Sequence, residues 1–298
     1  MGKCGPDFKR QGRTRCPGDV GPRIVTYRFI GSENIFHEVA EQAGLTGGAD
    51  FRLYGGHRLW ISPEMDRTYF PDNSPVRVVE ENGLIRITAP VESTLPGSNL
   101  QKELEVHLDE QGSCVTVNHR VINRDSRPTK LAPWALTMMK PGGKAIQPLP
   151  PRAPIDKDHF QSVGPMTLWS LTDSADSRWT LGTEYIQLQQ RTNPTGRFPE
   201  QMTGLYSPAG WGAYSLNGTG FVKSVAVIAG AAYPDFGYNF EIFTNPEFLE
   251  LETLGPQVEL RPEESVRHIE TWTLFQNVPN GKDDAWIREA IAPLAFTS

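Results

Sequence analysis

Residues 248–275 read FLELETLGPQVELRPEESVRHIETWTLF. Leucine and glutamate alternate through the first seven positions, the period-2 pattern of a strand with one face in a core. Leu249, Leu251 and Thr253 fall on one face, and Phe248, Glu250, Glu252 and Leu254 fall on the other. Leu254 is followed by a Gly-Pro pair that ends the run, and a second alternating run, HIETWTLF, follows within a few residues. Nothing in the stretch repeats at 3.6 residues. It reads as antiparallel strands joined by a short turn, and a chain that ends this way is a β protein.

The same pattern extends back along the sequence. Residues 23–30 (RIVTYRFI) alternate, and 76–89 (VRVVEENGLIRITA) alternate on either side of Asn82-Gly83. Asn-Gly tolerates the positive φ values of a type I′ turn, so this is a hairpin. A second hairpin, ELEVHLDEQGSCVTVNHRVIN at 103–123, pivots near Gly112. Further strands are expected at 130–139, 166–172, 178–189, 221–229 and 238–243. The 28 glycines and 25 prolines fall mostly between these runs, where turns belong. One short C-terminal helix is expected over 283–295, capped by Asp283 or Asp284. A dozen or more strands without intervening helices excludes a doubly wound or barrel α/β plan. A propeller would carry a repeat of about 40–50 residues, and none is present. The expectation is therefore all-β: a large antiparallel β-sandwich occupying residues 19–298 as one domain, with the proline-rich 141–154 stretch as a long loop. Residues 1–18 are polar, rich in Gly and Arg and without a period. They read as a disordered tail or as the remnant of a first strand.

Composition narrows the function classes. The 298 residues carry a formal net charge of −6 with the charges interspersed, which argues against nucleic acid or anionic lipid as partners. No apolar stretch reaches about 18 residues, so no membrane-spanning helix is expected. The basic N-terminus lacks an apolar segment behind it, so the default location is cytoplasmic. Three cysteines and six scattered histidines provide neither a disulfide framework nor metal-ligand spacing. Nucleotide, cofactor and hydrolase motifs are missing, so no metal and no cofactor are expected.

Three stretches carry candidate chemistry. Glu250 and Glu252 project together from the face opposite the leucines. That face is either a solvated exterior or a ligand-binding hollow, where crowding of like charges would raise a carboxyl pKa toward neutrality. LYGGHRLWISPE (53–64) places His57, Arg58 and Trp60 after a Gly-Gly pair, combining a titratable group, a fork of donors and an aromatic plate. KLAPWALTMMKPGG (130–143) offers Trp134 as a stacking surface and Lys140 as a cation, with Pro133 pointing to an edge or a bulge. Sugars are recognised by such mixtures, hydroxyls by hydrogen bonds and C–H faces by aromatic rings. His119 shares a register with Val115, Val117 and Val121 and reads as a core histidine. His268, Glu270 and Trp272 share a face that could line the same hollow as Glu252.

These pieces resemble the galactose mutarotase-like superfamily of aldose 1-epimerases and glucose-6-phosphate 1-epimerases. Residues 248–275 are similar to its C-terminal strand pair, where a Glu-Thr strand precedes a proline-bounded turn and an aromatic final strand. DVGPRIVTYRF (19–29) resembles its opening strand. GGHRLW, the PDN at 71–73, WALTMMKPGG and LETLGP together look like a bacterial branch of it. The likeness spans about residues 19–275. It implies a β-supersandwich with a carbohydrate as small-molecule ligand, and an isomerase in which a glutamate is the base at the anomeric hydroxyl and a histidine the acid at the ring oxygen. Glu252 matches the base. The segment matching the acid, NRDSRPTKLAPWALT, contains no histidine, which leaves His57 as the substitute. The turn Pro262-Glu263-Glu264 also lacks the family's glycine. A non-catalytic sugar-binding or accessory sandwich is the alternative that these departures leave open.

Overall fold

The computed structural model describes residues 4–7, 12–93, 99–158 and 160–296; His159 and most of the first eleven residues lie outside them. Two large antiparallel sheets dominate. One runs in the order Met166–Leu168, Gln201–Leu205, Phe240–Thr244, Leu249–Leu254, Thr129–Met139, His57–Ser62, Arg23–Ile24, with Val258–Leu260 also paired to Thr129–Met139. The other has ten strands: Trp179–Leu181, Tyr185–Gln189, Lys144–Pro148, Trp211–Leu216, Thr219–Val225, Ser265–Phe275, Val115–Asn123, Leu100–Leu108, Leu84–Thr88, Arg77–Glu81. Both hairpins expected from sequence are present, with Asn82 at φ 52° and Gly83 at φ 78° in the first.

The two sheets bury one shared core. Leu249, Leu251, Ile242, Leu59 and Ile61 from the first sheet meet Leu104, Val106, Val117, Phe221 and Trp272 from the second. At its centre, Tyr27, Phe36, Phe221 and Trp272 form an aromatic cluster with ring centroids 5.6–6.0 Å apart. Alternation does the rest: the leucine face of 249–254 lies inside, and Glu250 and Glu252 lie on the outer face of their sheet.

Chain geometry adds detail to four expectations and corrects two of them, the 141–154 loop and the edge position of Pro133. Gly12–Pro17, in the segment read as a tail or as the remnant of a first strand, pairs with Thr26–Phe29 and buries Thr14 and Cys16. Lys144–Pro148, read as loop, is a strand inside the ten-stranded sheet that ends on Pro148, paired with Tyr185. The C-terminal segment begins as expected, with the Asp283 carboxylate accepting from the Trp286 amide at 2.8 Å, a cap worth about 1 kcal/mol. It then widens and tightens over Ile287–Ile291 and Ala292–Phe296 instead of continuing as one α-helix. This segment packs Ile287 and Ile291 on Ile146, Trp211 and Val222, on the outer side of the ten-stranded sheet, at about 1.5–3 kcal/mol per buried isoleucine. Finally, Pro133 sits in a central strand, not at an edge. Its carbonyl accepts from Gly255, where the neighbouring chain passes from Leu249–Leu254 to Val258–Leu260, so its missing N–H falls at a gap in the ladder.

Candidate functional site

Strand register assembles a row of side chains across the outer face of the eight-stranded sheet. Arg58 pairs with Leu136, Leu136 with Glu252, Glu252 with Glu241, and Glu241 with Gly204. Each strand alternates, so all of these residues share one face. Above the row sits an aromatic cluster of Phe51, Trp60, Trp134, Trp169 and Tyr238, packed with Leu136 and Leu254. Against Trp134, Trp169 and Tyr238 of this cluster a cavity of about 260 Å³ opens, lined also by Glu64, Thr167, Leu168, Asp235, Phe236 and Glu241.

Glu241, in the lining of this cavity, forms a carboxyl pair with Glu252 behind it. Trp134 Nε1 donates to Glu252 Oε2 at 2.6 Å. Glu252 is hydrogen-bonded in turn to Glu241, which also accepts from the Tyr238 hydroxyl. Burial drives the Glu252 carboxyl well above the usual carboxylate range, reinforced by the charges of Glu241 and Glu250. Burial also raises Glu241, to about 7, against the lowering effect of its two hydrogen bonds. Two buried carboxyls in contact share one proton, because ionising both would place like charges together in a low dielectric. Glu241 Oε2 is buried and has no hydrogen-bond partner.

Beside the pair, Glu250 accepts from Arg58 Nη2 at 3.3 Å. The Arg58 guanidinium lies 4.0 Å above the Trp60 ring and 5.6 Å from Phe51, and its Nε and Nη1 atoms are unpartnered. Gly55 and Gly56, at φ +92° and +72°, bring the entry to this strand against the chain: a Cβ on Gly56 would lie 2.3 Å from the Ile24 carbonyl oxygen. Only glycine fits both the conformation and the approach.

Of the residues singled out in the sequence, Glu250, Glu252, Arg58, Trp60 and Trp134 converge on this face. His57 and Lys140 do not. Lys140 is 38% exposed and pairs with Glu33. His57 is the strand neighbour of Arg58, so alternation turns it through the sheet to the inter-sheet side, where it is fully buried. His268, Glu270 and Trp272 are also on that inner side, hydrogen-bonded to or packed beside Thr253 and His57 rather than Glu252.

There they form a closed polar network. His119 Nδ1–H donates to the His268 carbonyl at 2.8 Å, which leaves its Nε2 to accept from His57 Nε2–H at 2.6 Å. His57 Nδ1 then accepts from the Thr137 hydroxyl at 2.8 Å. His268 Nε2 bonds Thr253 at 2.7 Å, and Thr253 donates to Glu270. Trp272 Nε1 donates to Glu270 Oε2 at 2.7 Å, and Lys223 Nζ lies 3.0 Å from Oε1. His57, His119 and Glu270 are close enough to suggest metal ligands. Two imidazole nitrogens on one zinc ion would stand about 3.3 Å apart, however, and the Lys223 ammonium already neutralises the carboxylate. The geometry is that of neutral imidazoles in a hydrogen-bonded core.

Sequence reasoning missed Glu241, Tyr238, Trp169 and Asp235. The signal for Glu241 was a lone acid between Phe240 and Ile242 in an otherwise apolar strand, on the face opposite the core.

No protein-family model matches the chain, and no curated protein matches it. Solved structures do. The Slr1438 protein of Synechocystis sp. PCC 6803 aligns with a TM-score of 0.60 at 11% identity, covering 93% of this chain and 96% of that one. A galactose mutarotase-like protein from Lactobacillus casei aligns at 0.60 and 9%, covering 92% and 100%. A galactose mutarotase related enzyme from Lactobacillus acidophilus aligns at 0.57 and 9%, covering 93% and 99%. The architecture is the galactose mutarotase-like β-sandwich, with an acidic, aromatic-walled cleft on the outer face of its smaller sheet. Among the described residues no helix is long and apolar enough to cross a membrane.

Proposed function

We propose that the chain binds a carbohydrate in this cleft and acts as an aldose epimerase-like isomerase, opening and reclosing a cyclic hemiacetal with an acid–base centre built around Glu252 and Glu241. The observation that carries the reading is a buried, hydrogen-bonded carboxyl pair of which one member, Glu241, lines an aromatic-walled cavity of about 260 Å³. That volume lies below the ~300–1,000 Å³ of drug-sized sites, on the scale of one sugar ring. Trp134 and Trp169 offer faces for C–H contacts, and Glu64, Thr167 and Asp235 offer hydroxyl partners around the rim. Ring opening moves one proton off the anomeric hydroxyl and one onto the ring oxygen; positioned acid–base groups contribute about 10²–10⁴-fold to such steps.

The test is polarimetry of freshly dissolved α-D-glucose and α-D-galactose with micromolar protein, beside calorimetry of the same sugars. The expected result is faster mutarotation, abolished in the Glu241→Gln/Glu252→Gln double variant. Neither heat nor acceleration with either sugar would sink the reading. A second reading, binding without catalysis, draws on the fact that among the described residues no histidine lines the cavity. Heat of binding with an unchanged rate would select it.

A further inference from the structure

We infer that Glu241 is the residue that meets the sugar: its carboxylate takes the anomeric proton and returns it to the ring oxygen, while Glu252 is a positioning residue that holds the pair's retained proton. The inference rests on the carbohydrate reading of the cleft and divides the labour within it.

The two carboxyls differ in what remains free on them. Glu252 is 1% exposed and already engaged, with Oε2 accepting from Trp134 and the group bonded to Glu241. Glu241, 2% exposed, lines the cavity itself and keeps Oε2 without a partner. A buried, unpartnered carboxylate oxygen on a residue that lines a cavity is an acceptor in want of a donor, since leaving it unmet costs free energy. The surrounding charges decide which residue holds the proton. Glu250 faces Glu252 from two residues along the same strand, while Glu241 receives hydrogen bonds from both Tyr238 and Glu252. Asp235 and Glu64 face Glu241 from the loops around the cavity and oppose its ionisation, and Arg58 is drawn to Glu250. Burial and the anions nearest Glu252 hold it protonated, while Glu241, with two donors, is the member of the pair that ionises near neutrality.

One carboxylate suffices for the chemistry. The anomeric hydroxyl and the ring oxygen share a carbon, so a single Oε2 reaches both. The O–H bond of the anomeric hydroxyl breaks and its proton moves to Glu241. The C1=O bond forms as the C1–ring oxygen bond breaks, and the ring oxygen then takes the same proton back. Glu241 ends as it began, and rotation about C1–C2 followed by the reverse sequence yields the other anomer. No imidazole is needed, which accords with a cavity that has none among the described residues of its lining.

The experiment is the pH profile of kcat/KM for wild type, Glu241→Gln and Glu252→Gln, with sugar affinity measured alongside. Wild type should rise with a limb near pH 7. Glu241→Gln should lose about 10²–10⁴-fold at every pH. Glu252→Gln replaces a carboxyl donor with a weaker amide donor, so its limb should move to higher pH. It should lose about tenfold at pH 7 and recover much of that in alkali. The inference is overturned if Glu252→Gln is flat and inactive at all pH values while Glu241→Gln keeps a limb and stays within about tenfold of wild type. If the variants do not fold, carboxyl-labelled glutamate NMR of wild type decides. Glu241 should titrate near pH 7 and shift on adding sugar, with Glu252 losing its proton after it; the opposite order overturns the assignment. An inactive wild type with no sugar heat would refute the carbohydrate reading instead.

Discussion

Replacing Lys223 with methionine tests the buried network most directly. Lys223 and Glu270 are both fully buried, 3.0 Å apart, and Lys223 also donates to the Leu251 carbonyl at 3.1 Å. Methionine fills a similar volume but leaves the Glu270 carboxylate with only its hydrogen bonds from Thr253 and Trp272. Breaking a buried pair from one side costs about 3–5 kcal/mol, because an uncompensated charge stays behind. With an unfolding entropy of about 2.1 cal/mol/K per residue, 298 residues give about 0.6 kcal/mol/K, so the melting temperature should fall by about 5–8 °C. Lys223→Met/Glu270→Gln removes both charges and should recover at least half of that loss. Thermal and urea denaturation of the four proteins in the double-mutant cycle provide the measurement. A drop below about 2 °C for the single variant, or a double variant no better than the sum of its singles, would refute the pairing as the source of stability.

Acid sensitivity follows from the same network. Burial holds His57, His119 and His268 below the ordinary imidazole value of 6.5, His268 at about 3. A depressed folded value means the unfolded chain binds more protons, so this contribution is complete above pH 6.5 and is lost as pH falls toward 3. Glu92, Glu241, Glu250 and Glu252 are raised and act with the opposite sign above 4.5, so the imidazole contribution is read below that value, where those carboxyls are protonated in both states. The urea midpoint should therefore fall as pH is lowered from about 4.5 to about 3.5, and an unchanged midpoint would contradict the placement of the imidazoles. At the cleft, Gly204→Ala would put a methyl 2.8 Å from the Tyr238 ring and push that ring off Glu241. Calorimetry should show sugar affinity falling at least about tenfold while stability changes by about 1–3 kcal/mol; undiminished affinity would mean that Tyr238 does not shape the cavity.

Most of the architecture was legible because strand alternation is local. FLELETL fixed both faces of its own strand, and Asn82-Gly83 fixed a turn. What escaped was information that only register provides. His57 and Arg58 are sequence neighbours and read as one cluster, although HRLWIS, once seen as a strand, must send them to opposite faces. The Gly-Gly pair before them suggested a loop and hid that strand. Glu241 stands eleven residues from Glu252, and only the pairing of Phe240–Thr244 with Leu249–Leu254 makes them partners. Lys144–Pro148 was obscured by the glycines and prolines that bracket it. His57, His119 and His268, far apart in the chain, share no spacing that announces their meeting.

The Leu249–Leu254 strand carries polar anchors on both sides of one backbone. Glu252 is tied to Trp134 and Glu241 outside, and Thr253, one residue on, is tied to His268 and Glu270 inside. Sliding this strand to suit an incoming molecule would tear the inner bonds, so the base of the cleft behaves as fixed bedrock. Adaptation to different ligands falls to the segments bearing Glu64, Trp169 and Asp235, which can be lengthened or exchanged without touching that foundation. The amides of 251–254 should accordingly be among the last in the molecule to exchange with deuterium.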